Sequence, residues 1–366
     1  MLSSWDDYPV HQIPDPIRCV GTSDRNFYDR YYFNLHASSG ELFLVMGLGQ
    51  YPNLAVQDAF AVVQRGGRHR VVRASRELGD RSDTSVGPFR VEVEEPLRRL
   101  RFRLEEAGHG IACDLVFEGS IPAFEEPRQY IRKRGRVLFD SLRFAQTGCW
   151  SGTLRVGNER FSVTPDRWWG TRDRSWGIRP VGEAEPPGIR GSEGQLTGMW
   201  NYSPMQFRDH AILYILQETD AGERPLEEAV RIWSDPAREP EWLGRPEYEH
   251  VLVPGTRMIE KSRLAFPEAP GGGFEVGVTP LTHCFVAVGT GYGMEADWRH
   301  GMYQGPLVVQ GLDLDHDEVG KLGQYGIVDH AARFEYDGQI GYGLHEHGFF
   351  GPFRKYGMND AGSGAS

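Results

Sequence analysis

Along much of the chain, apolar and polar residues alternate at a period of two. Leu100, Phe102 and Leu104 alternate with Arg99, Arg101, Arg103 and Glu105, and Ile111, Cys113, Leu115 and Phe117 form a second series. On an extended backbone this pattern sets one face against a core and the other in water. Residues 42–48, 211–216, 285–288 and 307–309 are apolar on both faces and predict strands covered on both sides. Gly66-Gly67, Glu106-Ala107-Gly108, Gly157-Asn158 and Asp337-Gly338 punctuate the pattern as turns. Helical signal is confined to residues 225–232, where Glu227 and Glu228 would fill a first turn. The expectation is an all-β sandwich or barrel with few short helices.

At 366 residues the chain is long enough for two domains. A Pro/Gly/Glu-rich loop at 183–195 follows a dense aromatic segment and predicts domains at 1–182 and 183–358. The small, polar residues 359–366 predict a disordered tail. The 46 glycines and 23 prolines are spread along the chain, as many short strands joined by turns require. A net charge of −11 argues against a nucleic-acid partner, since neutralising phosphates takes clustered Lys and Arg. The main basic cluster, at 128–136, reads as a solvated loop or edge strand. Cys19, Cys113, Cys149 and Cys284 form no CxxC pair and read as buried, reduced thiols. No basic-then-apolar leader and no run of 18 apolar residues occurs, so the expectation is a cytoplasmic protein without a membrane span.

Residues 165–180 carry the most chemistry. Trp168, Trp169 and Trp176 fall there with Arg167, Arg172, Arg174, Arg179, Asp166 and Asp173. Buried charges need partners, and three wet indoles would be costly. The economical arrangement pairs Arg with Asp beside Trp faces, either as a brace between sheets or as the wall of a pocket.

The stretch Asp173-x-Ser175-Trp176-Gly177 resembles the signature of a two-domain lipocalin-like superfamily. That superfamily comprises carotenoid 1,2-hydratases, AttH-like proteins, tocopherol-cyclase-like proteins and fungal Diels–Alderases. Arg174 stands where those proteins often carry His. The stretches Phe27 to His36 and Gly341 to His347 resemble an uncharacterised bacterial branch. The resemblance implies two lipocalin-like, calycin-type antiparallel β-domains packed together with a ligand cavity in or between them. It also implies hydration, cyclisation or pericyclic chemistry on isoprenoid or polyketide-derived substrates, with no redox cofactor.

Other residues could move a proton or hold a ligand. On a strand, His345 and His347 would share a face and Glu346 would point away. Two such imidazoles could hydrogen-bond, act as a base, or ligate a metal if His36 or His283 supplied a third ligand. His36 ends an aromatic strand in which Tyr31 and Phe33 would face one way and Tyr32 and Asn34 the other. Asp173 reads as a proton donor or a structural anchor: burial against indole would raise its pKa, and a neighbouring Arg would lower it. Residues 289–293 are glycine-rich but lack the strand–helix context of a dinucleotide loop, and read as a turn.

Three functions follow. The first is a cofactor-independent lyase or isomerase/cyclase acting on a terpenoid, steroid or polyketide-like molecule. Asp173, His36 and His345 are its candidate catalytic groups. Trp168, Trp169, Arg172, Trp176, Tyr32, His347 and Asn201 are its candidate substrate contacts. The second is a non-catalytic lipophile carrier, and the third a metal-dependent enzyme centred on His345 and His347. A homodimer is compatible with each.

Overall fold

The computed structural model describes residues 2–133, 135–182 and 197–366. Its strands are, in order, β1 (Phe27–His36), β2 (Phe43–Tyr51), β3 (Val56–Arg65), β4 (Arg68–Glu77), β5 (Ser85–Val86), β6 (Phe89–Glu95), β7 (Arg99–Leu104) and β8 (Ile111–Gly119). Then come β9 (Phe124–Glu125), β10 (Gln129–Lys133), β11 (Arg136–Val156), β12 (Glu159–Val163), β13 (Trp169–Ile178), β14 (Gly198–Gln206), β15 (His210–Glu218) and β16 (Leu226–Trp233). The series ends with β17 (Glu241–Trp242), β18 (Glu247–Leu252), β19 (Ile259–Phe266), β20 (Phe274–Cys284), β21 (Leu307–Asp315), helix α1 (His316–Gly323), β22 (Val328–Tyr336) and β23 (Gln339–Phe350).

Among the described residues these strands form two antiparallel sheets, curled into a near-barrel and a half-barrel, as the alternating pattern predicts. The first runs β21-β4-β3-β2-β1-β13-β11-β8-β7-β6-β5, with β9, β10 and β12 paired to the long β11. The second runs β17-β16-β15-β14-β23-β22-β20-β19-β18. The Pro/Gly/Glu-rich stretch at 183–195 lies outside the described residues. One element crosses the expected partition of the chain: β21 pairs with β4 and forms an edge of the first sheet.

Three apolar layers result. Phe33, Leu35, Leu44, Trp150 and Trp168 fill the inner side of the first sheet. Met205, Tyr214, Phe334 and Phe349 fill that of the second. Between the sheets, Val45, Phe60, Leu213, Val230 and Leu344 form a third layer. Strand alternation makes each central strand serve two layers. In β1, Phe33 and Leu35 turn inward while Tyr32 faces the second sheet. This double duty explains why β2 and β15 are buried at every position.

Several expectations are corrected. Residues 226–233 form β16 rather than a helix, because pairing with β15 places Leu226, Val230 and Ile232 in the inter-sheet layer. Among the described residues the α-helix is α1, whose N-cap Asp315 accepts from the amides of Asp317 and Glu318. Residues 285–288 are a turn with Phe285, Val286 and Ala287 buried. Residues 307–309 begin an edge strand, so Leu307 is 53% exposed. Cys19 is exposed; Cys113 and Cys284 are buried, and all four thiols are free. The tail at 359–366 is not loose. Arg257, 1% exposed, donates to the carbonyls of Phe349 (2.6 Å), Asp360 (2.7 Å) and Ser363 (2.9 Å).

Candidate active site between the two sheets

The register of the ladders builds the site. Across the first sheet, Phe60, Gly47, Tyr32, Asp173, Ala145 and Phe124 are successive partners in one row. Across the second, Cys284, Asp329, Glu346, Tyr202, Ile215 and Glu228 form another. Tyr32 and Ala145 from the first row and Cys284, Tyr202 and Ile215 from the second meet in the inter-sheet layer. The two rows therefore face each other. Gly47 matters here: a Cβ at this position would lie 2.4 Å from the Phe60 ring.

A direct bond joins the rows: the Tyr32 hydroxyl donates to Oδ2 of Asp329. Within the second sheet, the Trp200 indole N–H donates to Oε1 of Glu346. Two strand positions from Asp173, Ser175 pairs with Arg30 on one side and Arg143 on the other. Arg143 bonds Glu126, which is 4% exposed, and lies over the Tyr202 and Trp200 rings at 4.6 and 5.3 Å. Arg30 donates to the Tyr292 hydroxyl at 2.7 Å.

These surroundings set the protonation states. Desolvation raises the Asp173 pKa to about 6; Arg143 and Arg30 oppose the rise, and Glu126 and Glu346 add to it. Asp329, wholly buried, is pushed well above the carboxylate range by desolvation first and by Glu346 next. Glu228 is raised to about 7 by burial and by Glu126. The layer thus holds carboxyls able to give or take a proton near neutrality, set among Trp200, Tyr202 and Tyr32.

The residues singled out by sequence divide between the layers. Asp173 and Tyr32 are direct cross-strand partners on the facing row. Trp169 shares their face of β13 and packs on Tyr342 at 5.9 Å. His36 lies at the far end of the same face of β1, fully buried, with burial lowering its pKa to about 3. Trp168 joins the inner layer of the first sheet, against Phe161. Arg172 and Trp176 share that inward face, Arg172 donating to Gln146 at 2.8 Å and Trp176 packing on Phe144. Trp168 and Trp176 therefore lie on the face of the sheet opposite Asp173. Asp166 is exposed.

His345, His347 and Asn201 lie on the inner side of the second sheet. His345 bonds Ser203 (2.7 Å) and Ser262 (3.1 Å), and His347 bonds the Arg257 carbonyl (2.9 Å). Asn201 pairs with His347 across strands and donates to the Glu346 carbonyl. As the period of two predicts, Glu346 points the other way. His36 belongs to the opposite layer, and no group of three His, Cys, Asp or Glu suited to a metal ion occurs among the described residues.

Sequence reasoning passed over Glu346, Asp329, Arg30, Arg143, Glu126, Trp200 and Tyr202. Alternation alone placed Glu346 opposite the histidines. The others become visible only through the pairing register.

Two curled antiparallel sheets, facing across a layer of carboxyls, guanidiniums and aromatic rings, define an all-β protein of lipocalin-like fold. The chain is similar to an AttH-like protein (NE1406) of Nitrosomonas europaea, at 14% identity and TM-score 0.56, over 93% of this chain and 98% of that one. It is similar to kievitone hydratase of Nectria haematococca at 12% identity and TM-score 0.54, over 90% and 93%. A third likeness is to CghA bound to Sch210972, at 12% identity and TM-score 0.51, over 89% of each chain. Among curated proteins none matches. Within this fold, the chain belongs to a family of unknown function (DUF8625), matched over residues 2–359. No helix among the described residues is long and apolar enough to cross a membrane.

Proposed function

We propose that this protein is a cofactor-independent enzyme that binds a small terpenoid, steroid or polyketide-like molecule between its sheets and transforms it by proton transfer. Hydration or dehydration, isomerisation and cyclisation are the reactions such a site serves. One observation carries the reading: the Tyr32–Asp173 row faces the Asp329–Glu346–Tyr202 row in the aromatic layer. A carboxyl so placed can protonate an alkene or carbonyl, and aromatic faces attract the positive charge that follows. The fold shared with kievitone hydratase supports a hydratase-type reaction.

The test is incubation of the purified protein with a panel of terpenoid alkenes and steroids, followed by mass spectrometry in D₂O. Deuterium at carbon, or a gain or loss of water, is the expected result. Intact ligand recovered from the protein with no exchange would make it a carrier.

A further inference from the structure

We propose that Asp329 is the proton donor of this site, that Glu346 is the positioning residue that keeps the proton on it, and that Asp173 is the accepting base. This division of labour rests on the proton-transfer function proposed above.

Asp329 and Glu346 are direct partners on adjacent antiparallel strands. Two carboxylates at that separation repel unless one is protonated. Asp329 is the member that must hold the proton, because it is the more deeply buried: it is 0% exposed, whereas Glu346 keeps part of its surface accessible. The groups facing Asp329 are Tyr32 from β1, Asp173 from β13, Glu346 from β23 and Cys284 from β20. None of them is a cation. The guanidiniums of Arg30 and Arg143 act on Asp173 instead.

The proton's position on Asp329 is set by its bonds. Oδ2 accepts from Tyr32, so the acid proton belongs on Oδ1. Oδ1 is buried and accepts no hydrogen bond among the described residues, and the Glu346 carboxyl is within hydrogen-bond reach of the Asp329 side chain. A buried acid proton needs an acceptor, which Glu346 offers in the resting protein and a substrate between the sheets would replace. Glu346, held by Trp200, opposes ionisation of Asp329 through its charge and by pairing with the protonated carboxyl.

In a hydration the step balances as follows. The Asp329 O–H bond breaks and a C–H bond forms at the alkene. Water adds its oxygen to the cationic carbon and loses a proton to Asp173. The Asp173 proton then returns to Asp329 through solvent, so one water is consumed and nothing is oxidised or reduced. Asp173, flanked on its sheet by two arginines, is the carboxyl better suited to start as the carboxylate.

Infrared spectroscopy tests Asp329 without a substrate. At pH 8 the wild-type protein should show the carbonyl stretch of one neutral carboxylic acid. Asp329→Asn should lose it and Asp173→Asn should keep it. A band that is absent at pH 8, or that survives Asp329→Asn, overturns the assignment. Because Asp329→Asn could unfold the protein, Glu346→Gln is the second variant. Removing the opposing charge should make Asp329 ionise at least one pH unit lower; an unmoved titration also overturns the proposal. With a terpenoid alkene that the wild type turns over, Asp329→Asn should lower kcat at least a hundredfold, the ordinary weight of a general acid. Unchanged kcat refutes the role. If the wild type turns over no member of the panel, the proposed function falls, and the infrared result alone decides Asp329.

Discussion

Tyr32 and Asp329, 297 residues apart in sequence, are joined by a hydrogen bond from the phenol of one sheet to the carboxyl of the other. Tyr32 is 4% exposed and Asp329 fully buried, so water cannot replace the bond. Tyr32→Phe would leave Oδ2 of Asp329 without its donor in a buried layer. The expected cost is about 1–3 kcal/mol, the usual penalty for a buried polar group deprived of its partner. Urea unfolding of the variant checks it. An unchanged midpoint would mean that the bond does not join the sheets in solution.

Much of this arrangement was legible in sequence, and the remainder had a physical reason to be hidden. Period-two alternation correctly set Tyr32 opposite Phe33 and Glu346 opposite His345. It could not say which strand neighbours which, because pairing depends on contacts hundreds of residues apart. The Trp168–Trp176 segment stands out in sequence, but Trp168, Trp169, Arg172 and Trp176 are expected there as contacts of a single substrate. On a strand its residues divide between two layers, so Asp173 faces the second sheet while Arg172 and Trp176 turn inward. Glu227 and Glu228 suggested a helix because local composition cannot show that β15 lies alongside.

Asp173 should cost the protein stability at neutral pH. Its folded pKa of about 6 lies above the ordinary 3.8. Between those values the folded chain holds a proton that the unfolded chain has released, so stability falls as pH rises from about 4 to 6 and then levels off. The shift corresponds to roughly 3 kcal/mol. Asp173→Asn, which never ionises, should therefore melt higher than wild type at pH 8 and show little advantage at pH 4. It should also lose turnover, the trade expected of a site built for function. A variant less stable than wild type at pH 8 would show that the Arg30 and Arg143 attractions outweigh burial.

Arg257 anchors the end of the chain. Its three bonds to the carbonyls of Phe349, Asp360 and Ser363 use the planar fork of the guanidinium, which an ammonium cannot reproduce. Both Arg257→Lys and deletion of residues 359–366 should lower the melting temperature by several degrees, on the order of 2 kcal/mol or more. The deletion also uncovers Met358 and Phe353, which are buried beneath this end. If the deletion melts with the full chain, the packed tail contributes nothing and the carbonyls are satisfied by water.

The buried histidines predict unfolding in mild acid. On the inner side of the second sheet the His330 ring neighbours His283, His345 and His347 at 5.3, 6.4 and 5.1 Å, and His250 neighbours His345 at 5.9 Å. Neither ring nitrogen of His330 has a hydrogen-bond partner among the described residues. Burial lowers every pKa in the series: His345 and His283 to about 3, His347 to about 4, His330 and His250 well below 6.5. Below pH 6.5 the unfolded chain takes up protons that the folded chain refuses. Stability is therefore complete above that value and declines as pH falls toward the folded values. Each ring contributes about 1.4 kcal/mol per pH unit in that window. Five together would exhaust a typical stability of about 5–15 kcal/mol before pH 4. Asp173, Asp329 and Glu228, all raised in the folded protein, oppose this with up to three protons against the five of this series. Urea midpoints should drop steeply between pH 6.5 and 5, with several protons taken up per molecule unfolded. Replacing His330 with Phe should remove about one proton from that uptake. A midpoint that stays level or rises over the same interval would show that the rings are solvated or already charged in the folded protein.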